Sequence, residues 1–291
     1  MTAAALLPSG HPHRGALAAV ATRHRKTPLL ARALGGPGGL RLRTVPVDTD
    51  AFGTFTGDVT RTGTAVETAV AKARCGVRVA GHPVGLASEG SFAPHPVVGF
   101  VTHQVEQVVL VDVRTDLVVV GRAEAPAPWA GSWVAEDPED VRALGELLAG
   151  SGQRLVVRPD DPVAAGRGIG VTKGIERADD LGGAVELAVA ASGTGRARVE
   201  TDLRAHVCPR RHPVLLGAAR DLAVRLRTRC VSCGSPGFGR NGTVPGAPCA
   251  WCARPTAEPL ARVDSCPACE LRVETAVGRP ADPGRCSHCN P

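Results

Sequence analysis

Eight of the ten cysteines fall in four C-x-x-C pairs: CVSC at 230–233, CAWC at 249–252, CPAC at 266–269 and CSHC at 286–289. One such knuckle turns two thiolates toward a metal, and two knuckles complete a tetrahedral set, so the array supplies ligands for two structural zinc ions, Zn2+. Disulfides are the competing use. No secretory signal accompanies the pairs, because Pro8, His11, Pro12, His13 and Arg14 interrupt the apolar opening, and a reducing compartment keeps thiols free. Fifteen residues separate the first two pairs and sixteen separate the last two. That spacing favours sequential sites, Cys230 and Cys233 with Cys249 and Cys252, then Cys266 and Cys269 with Cys286 and Cys289. A cross-brace, first pair with third and second with fourth, stays open. Residues 230–291 are poor in aliphatic side chains and rich in Gly and Pro, so metal must supply much of their folding free energy. Cys75 and Cys208 stand alone and read as small buried hydrophobes.

Upstream the pattern alternates. Strand signals lie at 15–22, 40–47, 83–88, 107–113, 117–123, 154–159 and 197–201. Helix signals lie at 27–34, 64–73 and 181–192, after Asp137 and Pro138 in the form of an N-cap and first turn, and from His212 to the first knuckle. The expected fold is an α/β or α+β domain with a mixed sheet over residues 15–229, preceded by a tail at 1–14 and followed by a small double zinc-ribbon module at 230–291. No apolar run approaches the roughly 20 residues that span a bilayer, so a soluble, cytoplasmic protein without membrane contact is expected.

Arginine outnumbers lysine 31 to 3, which makes Lys26, Lys72 and Lys173 individually informative. Glu89, in GLASEGSFAPHP at 85–96, follows an apolar strand. A strand interior rejects an unpaired carboxylate, whereas the carboxyl end of a strand in an open α/β sheet is where such folds take ligands. Glu67 and Lys72 fall on one helix, with Thr68 on the face of Lys72. The loop ETDLRAH at 200–206 and the residues after it offer Asp202, Arg204, His206, Arg210, Arg211 and His212, a set suited to an anion. His95 reads as structural, and GRGIG at 166–170 is too short and isolated for a dinucleotide fingerprint.

These residues carry two resemblances. DTDAFGTFTGDVTRTGT at 48–64, GLASEGSFAPHP, ETDLRAH and the closing CxxC array resemble a bacterial family catalogued as domain of unknown function 6671, a name that confers no activity. ATRHRK, ETAVAKA and GLASEGS, in that order, are similar to the strand–turn, helix and acidic strand end of the inosine triphosphate pyrophosphatase superfamily. Members of that superfamily hydrolyse non-standard nucleoside triphosphates to monophosphate and pyrophosphate with Mg2+. The second resemblance covers roughly residues 15–95. It implies Glu67 and Glu89 as holders of Mg2+ and Lys26 and Lys72 on the phosphates, with Thr68 beside them; outside its span, Lys173 as a spare cation and Arg204 of the anion-suited loop are further candidate substrate contacts. The chain departs from that pattern at His24, where the turn has Asn, at Thr68, where the helix has Asn, and at the acidic pair, reduced to Glu89. On this reading Glu89→Gln cuts turnover by about 10²-fold or more with little loss of stability.

A binding module for nucleic acid or a protein partner is the alternative to a hydrolase, because Arg204–Arg229 is arginine-rich. Charge tempers it. The formal net charge is +6 with cysteines neutral, and each Zn(Cys)4 centre carries −2, which leaves about +2. Trp251 and Phe238 are the only aromatic side chains in the cysteine-rich segment for stacking on bases.

Overall fold

The structure is a computed structural model and describes residues 7–53, 63–95, 99–148 and 152–290. Residues 1–6 of the expected tail, 54–62 of the DTDAFGTFTGDVTRTGT stretch, Pro96 at the end of GLASEGSFAPHP and residues 149–150 at the end of the helix signal that follows Asp137 lie outside the described residues. A mixed five-stranded sheet has the order β2-β1-β3-β4-β5. Its strands are β1 (Leu17–Ala21), β2 (Arg41–Val45), β3 (Val84–Pro94), β4 (Thr102–Asp112) and β5 (Leu117–Pro126). β1 runs parallel to β2 and β3, while β3, β4 and β5 form an antiparallel meander. Helices cover both faces.

One face carries α1 (Thr27–Leu34) and the last helix, Leu30, Ala33 and Leu34 packing with Leu215, Leu216, Ala219, Leu222 and Leu226 over Val20, Leu86, Val108 and Leu110. Gly121 of β5 lets the last helix approach closely, since a Cβ there would lie 2.6 Å from Leu222 Cβ. The other face carries α2 (Ala65–Ala80), whose Ala69 and Ala73 meet Ala19, Ala21, Ala87, Val109 and Val111. A capping box between Thr64 and Glu67 starts α2, and Gly81, at φ 66°, ends it. The helix therefore continues seven residues past the apolar signal that ended at 73.

A second sheet, order β6-β9-β7-β8, contains β6 (Ser132–Ala135), β7 (Leu155–Pro159), β8 (Thr172–Ile175) and β9 (Ala197–Thr201). Helices α3 (Arg142–Leu148), α4 (Pro162–Gly166) and α5 (Ala178–Ala191) accompany it, and it has its own core built on Val157, Leu181, Val185 and Val199. β6, β8 and α4, of four, four and five residues, carry no strand or helix signal in the sequence. The chain returns to the first sheet through α6 (His212–Arg227), which delivers it to Cys230.

Residues 7–14 are packed, contrary to the expected tail. Leu7, His11 and His13 are buried, His11 Nε2 hydrogen-bonds Leu226 O at 2.7 Å, and His13 Nε2 pairs with Asp112 at 2.9 Å. Beyond α6, an antiparallel meander of β10 (Gly239–Pro245), β11 (Pro259–Ser265) and β12 (Arg272–Ala276) carries the four knuckles between and beyond its strands. Among the described residues no helix is long and apolar enough to cross a membrane.

Candidate metal centres and ligand site

The meander decides how the knuckles pair. The first precedes β10 and the third follows β11, and since these strands are antiparallel the two knuckles meet at one end. The second and fourth meet at the other. The sulfurs of Cys230, Cys233, Cys266 and Cys269 lie within 4.8 Å of one another, as do those of Cys249, Cys252, Cys286 and Cys289. Sequential pairing is thus overturned in favour of the cross-brace.

Sulfur separations are 3.7 Å for Cys230–Cys269, 3.6 Å for Cys233–Cys266, 3.8 Å for Cys249–Cys289 and 3.7 Å for Cys252–Cys286. A tetrahedron with Zn–S bonds of about 2.3 Å has edges of about 3.8 Å, whereas a disulfide requires about 2.05 Å. The donor set therefore fits two zinc ions. Backbone N–H groups of Ser232, Trp251 and Ala268 reach the first sulfur of their knuckles at 3.4 Å, which favours thiolate. Within one centre, the N–H groups of Cys289 and His288 help hold Cys286 down to about 7, while the sulfur of Cys252, burial and the sulfur of Cys249 push Cys289 up to about 12. Four thiols this close need a cation before all can ionise.

The remaining candidates are split. Glu89 lies inside β3 rather than after its end, because β3 continues to Pro94. It is buried and paired with the ammonium of Lys72 from α2, itself buried beside Thr68. The parallel pairing of β1 with β3 stops at Val20↔Leu86, so Glu89 sits just beyond the carboxyl end of β1. On the opposite face of β3, Lys26 at the start of α1 donates to Ser88 Oγ at 3.0 Å and Ser88 O at 3.1 Å. Next to it Arg211, fully buried, donates from Nε to Glu106 Oε1 at 2.7 Å, and Gln104 donates to the same oxygen at 2.8 Å. Gly90 makes room for this pair, since a Cβ there would lie 2.9 Å and 3.0 Å from the two oxygens of Glu106. Arg204 forks onto buried Asp202 at 2.6–3.2 Å, and the rings of His24 and His206 stack at 4.7 Å.

Lys26 as a whole is half-buried, but its ammonium is enclosed by these groups. Burial first, then the charge of Arg211, push it down to about 8, against the opposing pull of Glu89 and Glu106. His24 is driven down to about 3, by burial and then by Lys26, His206 and Arg204. Both shifts reflect burial first, with neighbouring cations adding to it. A cleft of about 330 Å3 opens beside these groups between the two sheets, lined by Phe92, Phe100, Thr201, Asp202 and Leu203 among others.

Glu67 is elsewhere. Exposed in the first turn of α2, it accepts from the backbone N–H of Thr64 at 2.8 Å, which with the Thr64 hydroxyl holds its carboxyl below the usual range. Helix capping accounts for it, and the pairing of Glu67 with Glu89 around one Mg2+ finds no support in the geometry. Lys173 is exposed on β8. The arginines of 204–229 do not form one open patch: Arg211 is inside, Arg204 holds Asp202, and Arg225 donates to the carbonyls of Gly237 and Arg240. Glu106 and Gln104 were missed in sequence, because the strand signal begins at 107 while β4 begins at Thr102.

Residues 72–291 match the model of the family described as Domain of unknown function (DUF6671). The match includes Lys72, Glu89, Arg204 and all eight knuckle cysteines, and excludes Lys26, Glu67 and Thr68. No curated protein matches the chain.

Proposed function

We propose, for a chain that belongs to the DUF6671 family and inherits from it no assigned activity, that it binds a small phosphate-bearing ligand beyond the carboxyl end of β1, with two zinc ions bracing its C-terminal segment. The observation that carries this is the surplus of buried cation. Lys72, Arg211 and Arg204 each hold a carboxylate, in Glu89, Glu106 and Asp202, whereas Lys26 contacts only Ser88 and has no carboxylate within ion-pair distance among the described residues. An enclosed ammonium without a counter-ion is costly, and an anion relieves that cost. The first turn of α1 adds donors, because no side chain caps its N-terminus. A nucleoside triphosphate would bring phosphates to the cations and a base to the cleft beside them, which Phe92 and Phe100 line.

The test is a thermal-shift and calorimetric panel of nucleoside mono-, di- and triphosphates against the zinc-loaded protein and Lys26→Met. Stabilisation that grows with phosphate number and disappears in the variant supports the reading. No shift at millimolar ligand rejects it.

Hydrolysis of that ligand with Mg2+ is the second reading, favoured by one feature: Glu106 Oε2 is buried and has no hydrogen-bond partner among the described residues. Such an oxygen is available to a cation. Binding comes first in the ranking because Glu89 and the other oxygen of Glu106 are already paired with Lys72 and Arg211. Mg2+-dependent pyrophosphate release that falls about 10²-fold in Glu106→Gln would establish catalysis; release by neither protein would leave a binding protein.

A further inference from the structure

The two cysteine sites differ in exposure. Cys230 and Cys266 are buried, as are Cys249 and Cys286, but the second cysteines of the first site, Cys233 and Cys269, are exposed, while Cys252 and Cys289 are only half-exposed. Cys233 also lines an open cavity of about 560 Å3 with Arg114, Arg229 and Ser235. Arg229 keeps its guanidinium there through long contacts to the carbonyls of Gly234 and Gly10, at 3.4 and 3.5 Å. Peroxide oxidation follows thiolate character and access, and neighbouring guanidinium groups assist departure of the anionic oxygen.

We infer that Cys233 and Cys269 form a peroxide-sensitive modification site, at which oxidation releases the zinc of the first site and spares the second. The inference rests on the zinc reading. The Cys233 sulfur attacks one oxygen of the peroxide; the O–O bond breaks, the sulfur becomes a sulfenic acid and the departing hydroxide takes a proton to leave as water. The Cys269 sulfur, within 4.8 Å of it, then displaces the hydroxyl group, forming the S–S bond and a second water after uptake of another proton. Two electrons pass from the two thiolates to the peroxide, and the ion loses two of four ligands. The first site lies where the chain leaves α6 and where Gly237 packs against Val119 and Pro267, so its opening loosens the hold of the meander on the first sheet.

The experiment starts from zinc-loaded protein of measured metal content, exposes it to hydrogen peroxide, follows released zinc with a chromogenic chelator and maps disulfides by mass spectrometry. Fewer than two zinc ions at the outset would contradict the zinc reading itself. With two present, one zinc leaves at least about 10-fold faster than the other, and the peptide pair carrying Cys233 and Cys269 is linked at that stage. Equal release of both ions, or an early disulfide among Cys249, Cys252, Cys286 and Cys289, overturns the inference. Arg229→Ala retains both ions and slows the fast phase several-fold; an unchanged rate overturns the assignment of Cys233 as the attacked sulfur.

Discussion

Glu89 occupies the middle of a strand, and the ammonium of Lys72 is what allows it to remain there. Removing one partner of a buried ion pair strands the other, at about 3 kcal/mol or more. Glu89→Gln should therefore lower the unfolding free energy by about that amount in denaturant titrations, where the sequence alone led to little change. Gly90→Ala should be comparably damaging, about 2 kcal/mol, because Arg211 and Glu106 occupy the space its methyl group needs. The sequence placed Lys72 and Glu89 in one candidate site as phosphate and Mg2+ contacts, and their pairing with each other came only from the structure. The partnership of Arg211 with Glu106 was not: 105 residues separate them, and no local pattern reports a contact made by α6 docking on β4. Lys26 links structure to pH. Its folded value near 8 lies below the ordinary lysine value of 10.5, so the unfolded chain binds more protons between those limits, and the stability lost to charged Lys26 below pH 8 returns as pH rises toward 10.5. A comparison of wild type with Lys26→Met across that interval should show the variant more stable below pH 8 and the difference shrinking above it.

At the level of elements, the meander β10–β12 explains why residue spacing misjudged the pairing of the knuckles. Fifteen and sixteen residues fit either arrangement, and only the antiparallel course of three strands brings the first knuckle to the third and the second to the fourth. The cross-brace has a direct consequence for metal content. Cys230→Ala with Cys266→Ala damages one centre and should leave one zinc per chain by elemental analysis, whereas Cys230→Ala with Cys249→Ala damages both. Sequential sites would give the reverse. The helices and strands of the first sheet were readable because apolar periodicity and turn residues bound them, from the eight-residue stripe of α1 to the long stripe of α6. β6, β8 and α4 were not, since four strand residues give only two periods and five helical residues little more than one turn.

Across the whole molecule many arginines lie on the surface in exposed ion pairs, and a few cations are enclosed. Lys26, Arg204 and Arg211 come from a turn, a loop and the entry to α6 and gather on one side of β3 near the end of β1, while Lys72 of α2 pairs with Glu89 on the opposite face. That convergence suits a compact anion better than a nucleic-acid backbone, which needs an exposed track. The most direct measurement is isothermal titration of the zinc-loaded protein with inorganic tripolyphosphate between pH 6.5 and 9.5, alongside Lys26→Met. Binding of an anion to a site whose ammonium titrates near 8 should be saturable, should weaken as pH rises through about 8, and should lose at least about 10-fold in affinity in Lys26→Met, which keeps only the pH dependence due to the ligand's own protonation. Affinity indifferent to Lys26, or no saturable heat at millimolar ligand, would contradict the account.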